Sequence, residues 1–220
     1  MEYFQVSKTD SGLHIEGFPD AVKVVRIDHP RAKRLADFAL HKSDLEFAAE
    51  CLDTINQVSD KPWVLRQALW RSAIVHFMKC FGDSGARSQL SVEKIYKKAP
   101  PALTAFAYFK DLRNKHVIHD ENSYAQSIPG AALNNGTKSF KIEKILCLSV
   151  VGETLEQDNY NNLHLLVQTA KAWVVAEFDV LCAAITKDLE VVSHERLLAR
   201  ESISFRVPTL DDIGKRRSEP

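Results

Sequence analysis

Apolar residues recur at steps of three and four positions over four long segments of this chain, and this periodicity constrains the fold most. A helix with one apolar stripe has to bury that stripe against another element. The segments predict helices over about 30–57, 62–81, 102–112 and 158–188, with a short helical piece at 92–98. Four stripes of this length predict a mainly α protein in which four to five helices form a bundle.

Each stripe also predicts which side of its helix is buried. For 62–81, the predicted buried residues are Leu65, Ala68, Leu69, Ser72, Val75 and Met78. For 158–188, they are Leu163, Val167, Ala170, Val174, Phe178, Leu181 and Ile185.

Two regions predict β-structure. Stretches 124–133 and 139–151 flank an Asn-Gly turn and predict a hairpin, inserted at 123–152 between the third and fourth main helices. A short hairpin is also expected within 1–28, where turn formers at 9–12 separate two runs and 22–27 resembles a strand. We therefore expect one helical-bundle domain over 1–192 and a polar, loosely ordered tail over 193–220.

The composition limits the functional classes. The chain has 220 residues, with 29 Lys and Arg against 29 Asp and Glu, so a phosphate site has to be a local patch. The four cysteines are far apart and form no CxxC pair, which indicates buried free thiols in a reducing compartment. No signal pattern or membrane-length apolar run is present. We expect a cytoplasmic protein without a cofactor or a membrane partner.

The stretch 112–121 carries the chemistry that most narrows the function. Arg113 follows the third main helix, Asn114 comes next, and His119 lies six positions after the arginine. An arginine fork binds a phosphate through two hydrogen bonds, and a neutral imidazole moves a proton near pH 7. These two groups are what metal-free cleavage of RNA requires. On a continuous α-helix, Arg113, His116 and His119 would spread over about 120° of one side.

Two other interpretations of this stretch remain open. Arg113 and the two histidines could cap the C-terminus of the helix, where positive charges interact favourably with the exposed carbonyl groups. Alternatively, His116, His119, Asp120 and Glu121 offer two imidazoles and two carboxylates to a metal ion. We favour the absence of a metal, because structural zinc sites normally draw their ligands from separated segments.

The pattern of Arg113, Asn114, four residues and then His119 resembles the defining motif of the HEPN superfamily. The order of elements is also similar, with the motif at the end of the third helix of a HEPN-like bundle. The inserted hairpin resembles branches linked to abortive infection and phage defence. The resemblance implies a metal-independent endoribonuclease whose active site is shared across a symmetric dimer. It implies that Arg113 and His119 are catalytic and that Asn114 orients the site.

This chain departs from one branch of that superfamily. Members silenced by a partner nucleotidyltransferase carry a tyrosine two positions after the histidine, whereas Glu121 stands there in this chain. We therefore do not expect that form of regulation.

The expected partners follow from the motif. Lys110, Lys115 and His116 are predicted to contact nucleic acid, and His116 could instead be a second proton donor or a helix-end contact. The expected partners are RNA, a second copy of the chain, and a protein antitoxin or regulator. DNA is not expected as a substrate, because it lacks the 2′-hydroxyl nucleophile. The alternative function is a catalytically silent HEPN-like dimerisation module that binds a nucleotide, an RNA or a protein.

Overall fold

The computed structural model of the protein describes residues 6–9, 12–57, 62–83, 85–119, 121–203 and 207–215. This part of the chain is mainly helical, as predicted. Its α-helices are α1 (Ala32–Gln57), α2 (Trp63–Lys79), α3 (Val92–Tyr96), α4 (Pro100–Leu112), α5 (Gln157–Glu190) and α6 (His194–Leu198). The four long helices begin and end within two residues of the predicted bounds.

The strands form two separate antiparallel hairpins. Strand β1 (Val6–Thr9) pairs with β2 (Gly12–Ile15), and β3 (Ala125–Leu133) pairs with β4 (Ile142–Val151). The second hairpin lies between α4 and α5, which confirms the predicted insertion. The strand expected at 22–27 is wrong: within it, Val25 makes an isolated bridge to Ser202. The turn at 10–11 lies outside the described residues.

The chain divides into two compact units. One comprises 44–82 and 90–170, and the other comprises 1–43, 83–89 and 171–220. The division falls inside α1 and inside α5, so neither unit is a simple contiguous segment. A single domain over 1–192 remains a prediction.

The unit of 44–82 and 90–170 has an aromatic core in which the polar atoms of Trp70 and Tyr96 have hydrogen-bond partners. The fully buried Trp70 packs edge-on against Phe109, with ring centroids 5.9 Å apart. Its indole Nε1 donates to Oγ1 of Thr154 at 3.0 Å. The Tyr96 hydroxyl likewise donates to the Leu166 carbonyl at 2.7 Å. These bonds matter because a buried polar atom without a partner costs about 1–3 kcal/mol.

The buried face of α2 differs from the predicted one. The buried residues are Gln67, Trp70, Ala73, Ile74, Phe77 and Met78, so only Met78 belongs to the predicted set. Leu65, which was expected to be buried, is 42% exposed. In α5 the prediction is confirmed for Leu163, Val167, Ala170, Val174 and Ile185.

The unit of 1–43, 83–89 and 171–220 contains the C-terminal segment. Phe38 packs edge-on against Trp173 at 5.8 Å, and Lys23 Nζ donates to the carbonyls of Leu198 and Arg200, each at 2.7 Å. Within 193–220 the described residues include α6 and a short 3-10 helix (Leu210–Asp212). Loose order of this tail remains a prediction.

The cysteines only partly follow the expectation of buried thiols. Cys51 and Cys80 are buried, whereas Cys182 is half-buried. Cys147 is exposed, because it lies on a strand of the hairpin that follows α4, whose side chains are mostly exposed. The expectation was wrong for Cys147.

Candidate functional site

The stretch 112–121 does not continue α4 as a regular helix. Residues Arg113–Ile118 form a π-helix, in which hydrogen bonds join residues five apart and the turn is wider than an α-turn. His119 then leaves the helix with an extended backbone, at φ −131° and ψ 150°. The expected α-helical spread of Arg113, His116 and His119 is therefore wrong. Single π-helical turns are frequent at functional sites.

The structure brings Arg113 and Asn114 together. The Nη1 of Arg113 donates to Oδ1 of Asn114 at 2.8 Å, and both residues are half-buried. A guanidinium has five N–H donors, so this bond fixes one side of the fork and leaves donors for another acceptor. The pair is thus suited to bind an oxyanion with a guanidinium whose orientation is already restricted.

His119 is the residue that follows this turn, and it is exposed. Within the described residues, no hydrogen bond or ion pair joins His119 to Arg113 or Asn114. The chain that follows is tied back, because the backbone N–H of Glu121 donates to the Lys115 carbonyl at 2.9 Å. Within the described part of one chain, therefore, no hydrogen bond holds the histidine to the arginine.

The predicted nucleic-acid contacts occupy different environments. Lys110 and Lys115 are exposed, and Lys115 Nζ lies 3.6 Å from a carboxylate oxygen of Asp111. His116 is instead buried, with 8% of its surface exposed, and its ring lies 5.6 Å from that of Tyr124. Its Nδ1 is buried with no hydrogen-bond partner among the described residues. A nucleic-acid contact by His116 would require this ring to become accessible, and the role remains a prediction.

A groove that the sequence did not predict is lined by residues of α4 and α5. It has a volume of about 450 Å³ and is lined by Pro101, Thr104, Ala105, Tyr108, Asn159 and Asn162. Asn159 Nδ2 donates to the Tyr108 hydroxyl at 3.0 Å and to the Thr154 carbonyl at 3.1 Å. Burial raises the pKa of the Tyr108 phenol, and the neighbouring Tyr124 raises it further. Tyr124 thus lies close to both the groove and His116.

The sequence did carry a weak signal for this groove. Tyr108 lies five residues before Arg113 on α4, and asparagines at 159, 161 and 162 cluster in the first turns of α5. Polar residues at these positions, on helices that also carry apolar stripes, indicate a polar groove or hydrogen-bonded contact between the two helices.

The metal interpretation gains no geometric support. Among the described residues, no group of three His, Cys, Asp or Glu side chains could hold a metal ion. Asp120, one of the four ligands considered above, lies outside the described residues.

No family model, curated protein or solved structure matches this chain. The HEPN resemblance therefore rests on the motif and on the order of the elements. None of the helices in the described part of the chain combines the length and the apolar character that crossing a bilayer requires.

Proposed function

We propose that the protein is a metal-independent endoribonuclease of the HEPN type. One observation carries the proposal: a π-helical turn at the end of α4 has the Arg113–Asn114 pair at its start, and the exposed His119 follows its end. The pair supplies an oriented cation, and the exposed imidazole supplies an accessible base. These are the two groups that cleavage of RNA without a metal needs.

The reaction begins at the ribose 2′-hydroxyl. His119 accepts the hydroxyl proton, and the 2′-oxygen forms a bond to the adjacent phosphorus. Arg113 donates hydrogen bonds to the phosphate oxygens on which negative charge accumulates. The bond from phosphorus to the 5′-oxygen then breaks, and a second imidazole, which is protonated before this step, gives its proton to that leaving oxygen. The products are a 2′,3′-cyclic phosphate and a 5′-hydroxyl.

The second imidazole comes from another copy of the chain in this proposal. One chain offers a single exposed histidine in the motif, whereas the reaction needs a base on one side of the phosphate and an acid on the other. A symmetric dimer whose interface includes 112–121 would supply both.

Lys110 and Lys115 extend the charge of the site as contacts to flanking phosphates. With RNA as the substrate, we propose a cytoplasmic location and a role as a toxin or phage-defence effector. A protein antitoxin or regulator would then keep it inactive.

The alternative is a catalytically silent dimerisation module that binds a nucleotide, an RNA or a protein. The observation that favours it is the bond from Arg113 to Asn114, which engages the arginine within its own chain. The neighbouring groove, with the Tyr108 hydroxyl and the Asn159 amide, offers polar groups for a bound ligand.

The test compares RNA with DNA of the same sequence in excess EDTA. We expect the protein to cleave the RNA and to leave the DNA intact, since DNA lacks the nucleophile. His119→Ala should abolish the cleavage, whereas His194→Ala, at another exposed histidine, should not. If the wild-type protein binds RNA but cleaves none, the silent module is the better account.

A further inference from the structure

Among the described residues, the groove between α4 and α5 has no charged side chain in its lining. The lining residues are Pro101, Thr104, Ala105, Tyr108, Asn159 and Asn162. They combine two small apolar side chains with one phenol ring, one aliphatic hydroxyl and two amides. Pockets that hold small molecules measure about 300–1,000 Å³, and this groove of about 450 Å³ is large enough for one planar ring system. The lining therefore suits a neutral ligand with flat apolar faces and a polar edge.

The hydrogen bonds of Asn159 determine which polar atoms of the groove are available to a ligand. The Thr154 carbonyl can only accept a hydrogen bond, so the side-chain atom of Asn159 that lies 3.1 Å from it is the amide nitrogen. The same nitrogen donates to the Tyr108 hydroxyl at 3.0 Å. Both amide protons are therefore used, whereas Oδ1 of Asn159 has no hydrogen-bond partner among the described residues. The Tyr108 hydroxyl accepts this bond and keeps its own proton for another acceptor.

These two available groups are held in place by the core. Thr154 is buried, and its hydroxyl accepts a hydrogen bond from the indole of the fully buried Trp70 at 3.0 Å, so Asn159 is anchored through Thr154. The groove thus presents a hydrogen-bond donor, the Tyr108 O–H, next to an acceptor, Oδ1 of Asn159. An unpaired RNA base carries donors and acceptors on its Watson–Crick and Hoogsteen edges, and its flat faces stack on aromatic side chains. A base therefore matches both the polar pair and the apolar part of the lining.

The charges around the groove disfavour a phosphate as its ligand. The described lining residues include no lysine or arginine that could bind one. Burial is the main cause of the raised pKa of the Tyr108 phenol, and the nearby carboxylate of Glu156 raises that pKa further. A carboxylate that opposes a negative charge on Tyr108 would also oppose a phosphate at the same place. The phosphates of a bound strand are therefore expected outside the groove, with a base inside it.

Tyr124 connects the groove with the candidate site. It is near enough to Tyr108 to affect the pKa of that phenol, and its ring lies 5.6 Å from the ring of His116 in the π-helical turn. The Tyr124 ring is held against the backbone of Gly152, where a Cβ would lie 2.6 Å from the ring. The Gly152 N–H also donates to the Tyr124 carbonyl at 2.6 Å. A fixed aromatic ring therefore lies close to both the groove and the π-helical turn.

We propose that this groove binds one unpaired base of the RNA substrate, with the Tyr108 hydroxyl donating to the base edge and Oδ1 of Asn159 accepting from it. The inference rests on the proposed function, in which RNA is the substrate. Tyr108 precedes Arg113 by five residues of helix, which is about 7.5 Å along the axis and about 140° around it. The bound base therefore belongs to a nucleotide some positions along the strand from the cleaved phosphate. Its place in the groove determines where the strand is cut relative to that base.

Filling the groove tests whether it binds RNA. Ala105→Phe places a ring in the groove, whereas Ala107→Phe places the same ring at an exposed position of α4 that does not line the groove. Both are made in the full chain that carries His119→Ala, so that binding of a short fluorescent RNA is measured without cleavage. Ala105→Phe should weaken binding by about fivefold to 100-fold, the range that stacking of one base explains. Ala107→Phe should change binding by less than about twofold.

An abasic scan identifies the bound base. Each nucleotide of the RNA is replaced in turn by an abasic ribose, and one position should weaken binding by about fivefold to 100-fold. This penalty should vanish with Ala105→Phe, because the groove is then already filled. Tyr108→Phe keeps the ring but removes the donor, and it should weaken binding of the intact RNA by about twofold to tenfold and reduce the abasic penalty at that position alone. If Ala105→Phe does not fold, Tyr108→Phe decides the question, with its thermal midpoint measured alongside because its hydroxyl also accepts from Asn159.

The outcomes separate this inference from the ribonuclease proposal. A scan with no sensitive position, or equal effects of the Ala105 and Ala107 variants, overturns the base site even if the wild-type chain cleaves RNA. A sensitive position that depends on Ala105 and Tyr108, in a protein that cleaves no RNA, supports the base site and overturns the ribonuclease proposal alone. Saturable binding of free adenosine or uridine that RNA does not displace assigns the groove to a free nucleoside and overturns RNA as its occupant. A wild-type chain that neither binds nor cleaves RNA overturns both.

Discussion

Substitution of Arg113 or His119, the proposed catalytic pair, should abolish RNA cleavage while leaving the protein folded. The burial and contacts of each side chain determine the expected loss of stability. His119 is exposed, follows the π-helix and makes no hydrogen bond within the described residues, so His119→Ala removes little from the fold. Exposed substitutions of this kind change stability by at most about 0.5 kcal/mol. Arg113 is half-buried and makes one bond, to Asn114, so Arg113→Ala should cost about 0.5–1.5 kcal/mol.

The effects on catalysis are expected to be much larger. Loss of a group that stabilises charge in the transition state commonly costs about 3–4 kcal/mol, or two to three orders of magnitude in rate. Phe109→Ala provides the opposite case on the same helix, because Phe109 is fully buried against Trp70. That change should cost about 3–5 kcal/mol of stability.

These values can be measured together. For a chain of this size, 1 kcal/mol lowers the thermal midpoint by about 2–4 °C. We therefore expect a shift below about 2 °C for His119→Ala, about 1–6 °C for Arg113→Ala and at least about 6 °C for Phe109→Ala. Each is followed by circular dichroism, and cleavage is measured at a temperature where all variants are folded. Unfolding of both motif variants would show that the motif is a structural helix cap, and the reasoning would be refuted.

The other predictions concern buried side chains near the core and the site. Tyr96→Phe should cost about 0.5–1.5 kcal/mol at pH 7, because it removes the hydrogen bond to the Leu166 carbonyl. Burial raises the pKa of Tyr96 in the folded protein. As the pH rises above about 10, the tyrosine of the unfolded state loses its proton first, and the free energy of unfolding therefore falls. Tyr96→Phe has no phenol proton to lose at this position. Its stability should therefore fall less than that of the wild-type protein between about pH 10 and 11.5, as measured by the midpoint of urea unfolding. His116→Ala should lower stability by about 1–3 kcal/mol, because its buried ring contacts Tyr124, and should reduce cleavage less than His119→Ala does.

The periodicity of α5 predicted its buried face, whereas that of α2 did not. In α5 the apolar residues of the predicted stripe alternate with polar ones, so one orientation buries much more apolar area than any other. In α2, apolar residues lie on every side of the helix; examples are Trp63, Leu65, Leu69, Ala73, Val75 and Met78. The buried face of α2 is then determined by contacts with other elements, such as those of Trp70 with Phe109 and Thr154. The sequence of α2 alone does not specify these contacts.

The candidate site was predictable in its residues but not in its geometry. Arg113, Asn114 and His119 stand out by type and spacing. The π-helical turn could not be predicted in the same way. Within it, His116 packs against Tyr124, which lies beyond the end of the helix, and helical periodicity does not specify such a contact. The groove beside Tyr108 likewise requires α4 and α5 to be adjacent, and helical periodicity does not specify which helices are neighbours.

The chemistry of the RNA ends tests the central claim most directly. A defined RNA is incubated with the wild-type chain and with His119→Ala in excess EDTA, and the products are analysed by mass spectrometry. The account predicts fragments with 2′,3′-cyclic phosphate and 5′-hydroxyl ends that form without metal and are absent with the variant. Cleavage that stops with EDTA and returns with added zinc or manganese, or no cleavage above the level of His119→Ala, would contradict it.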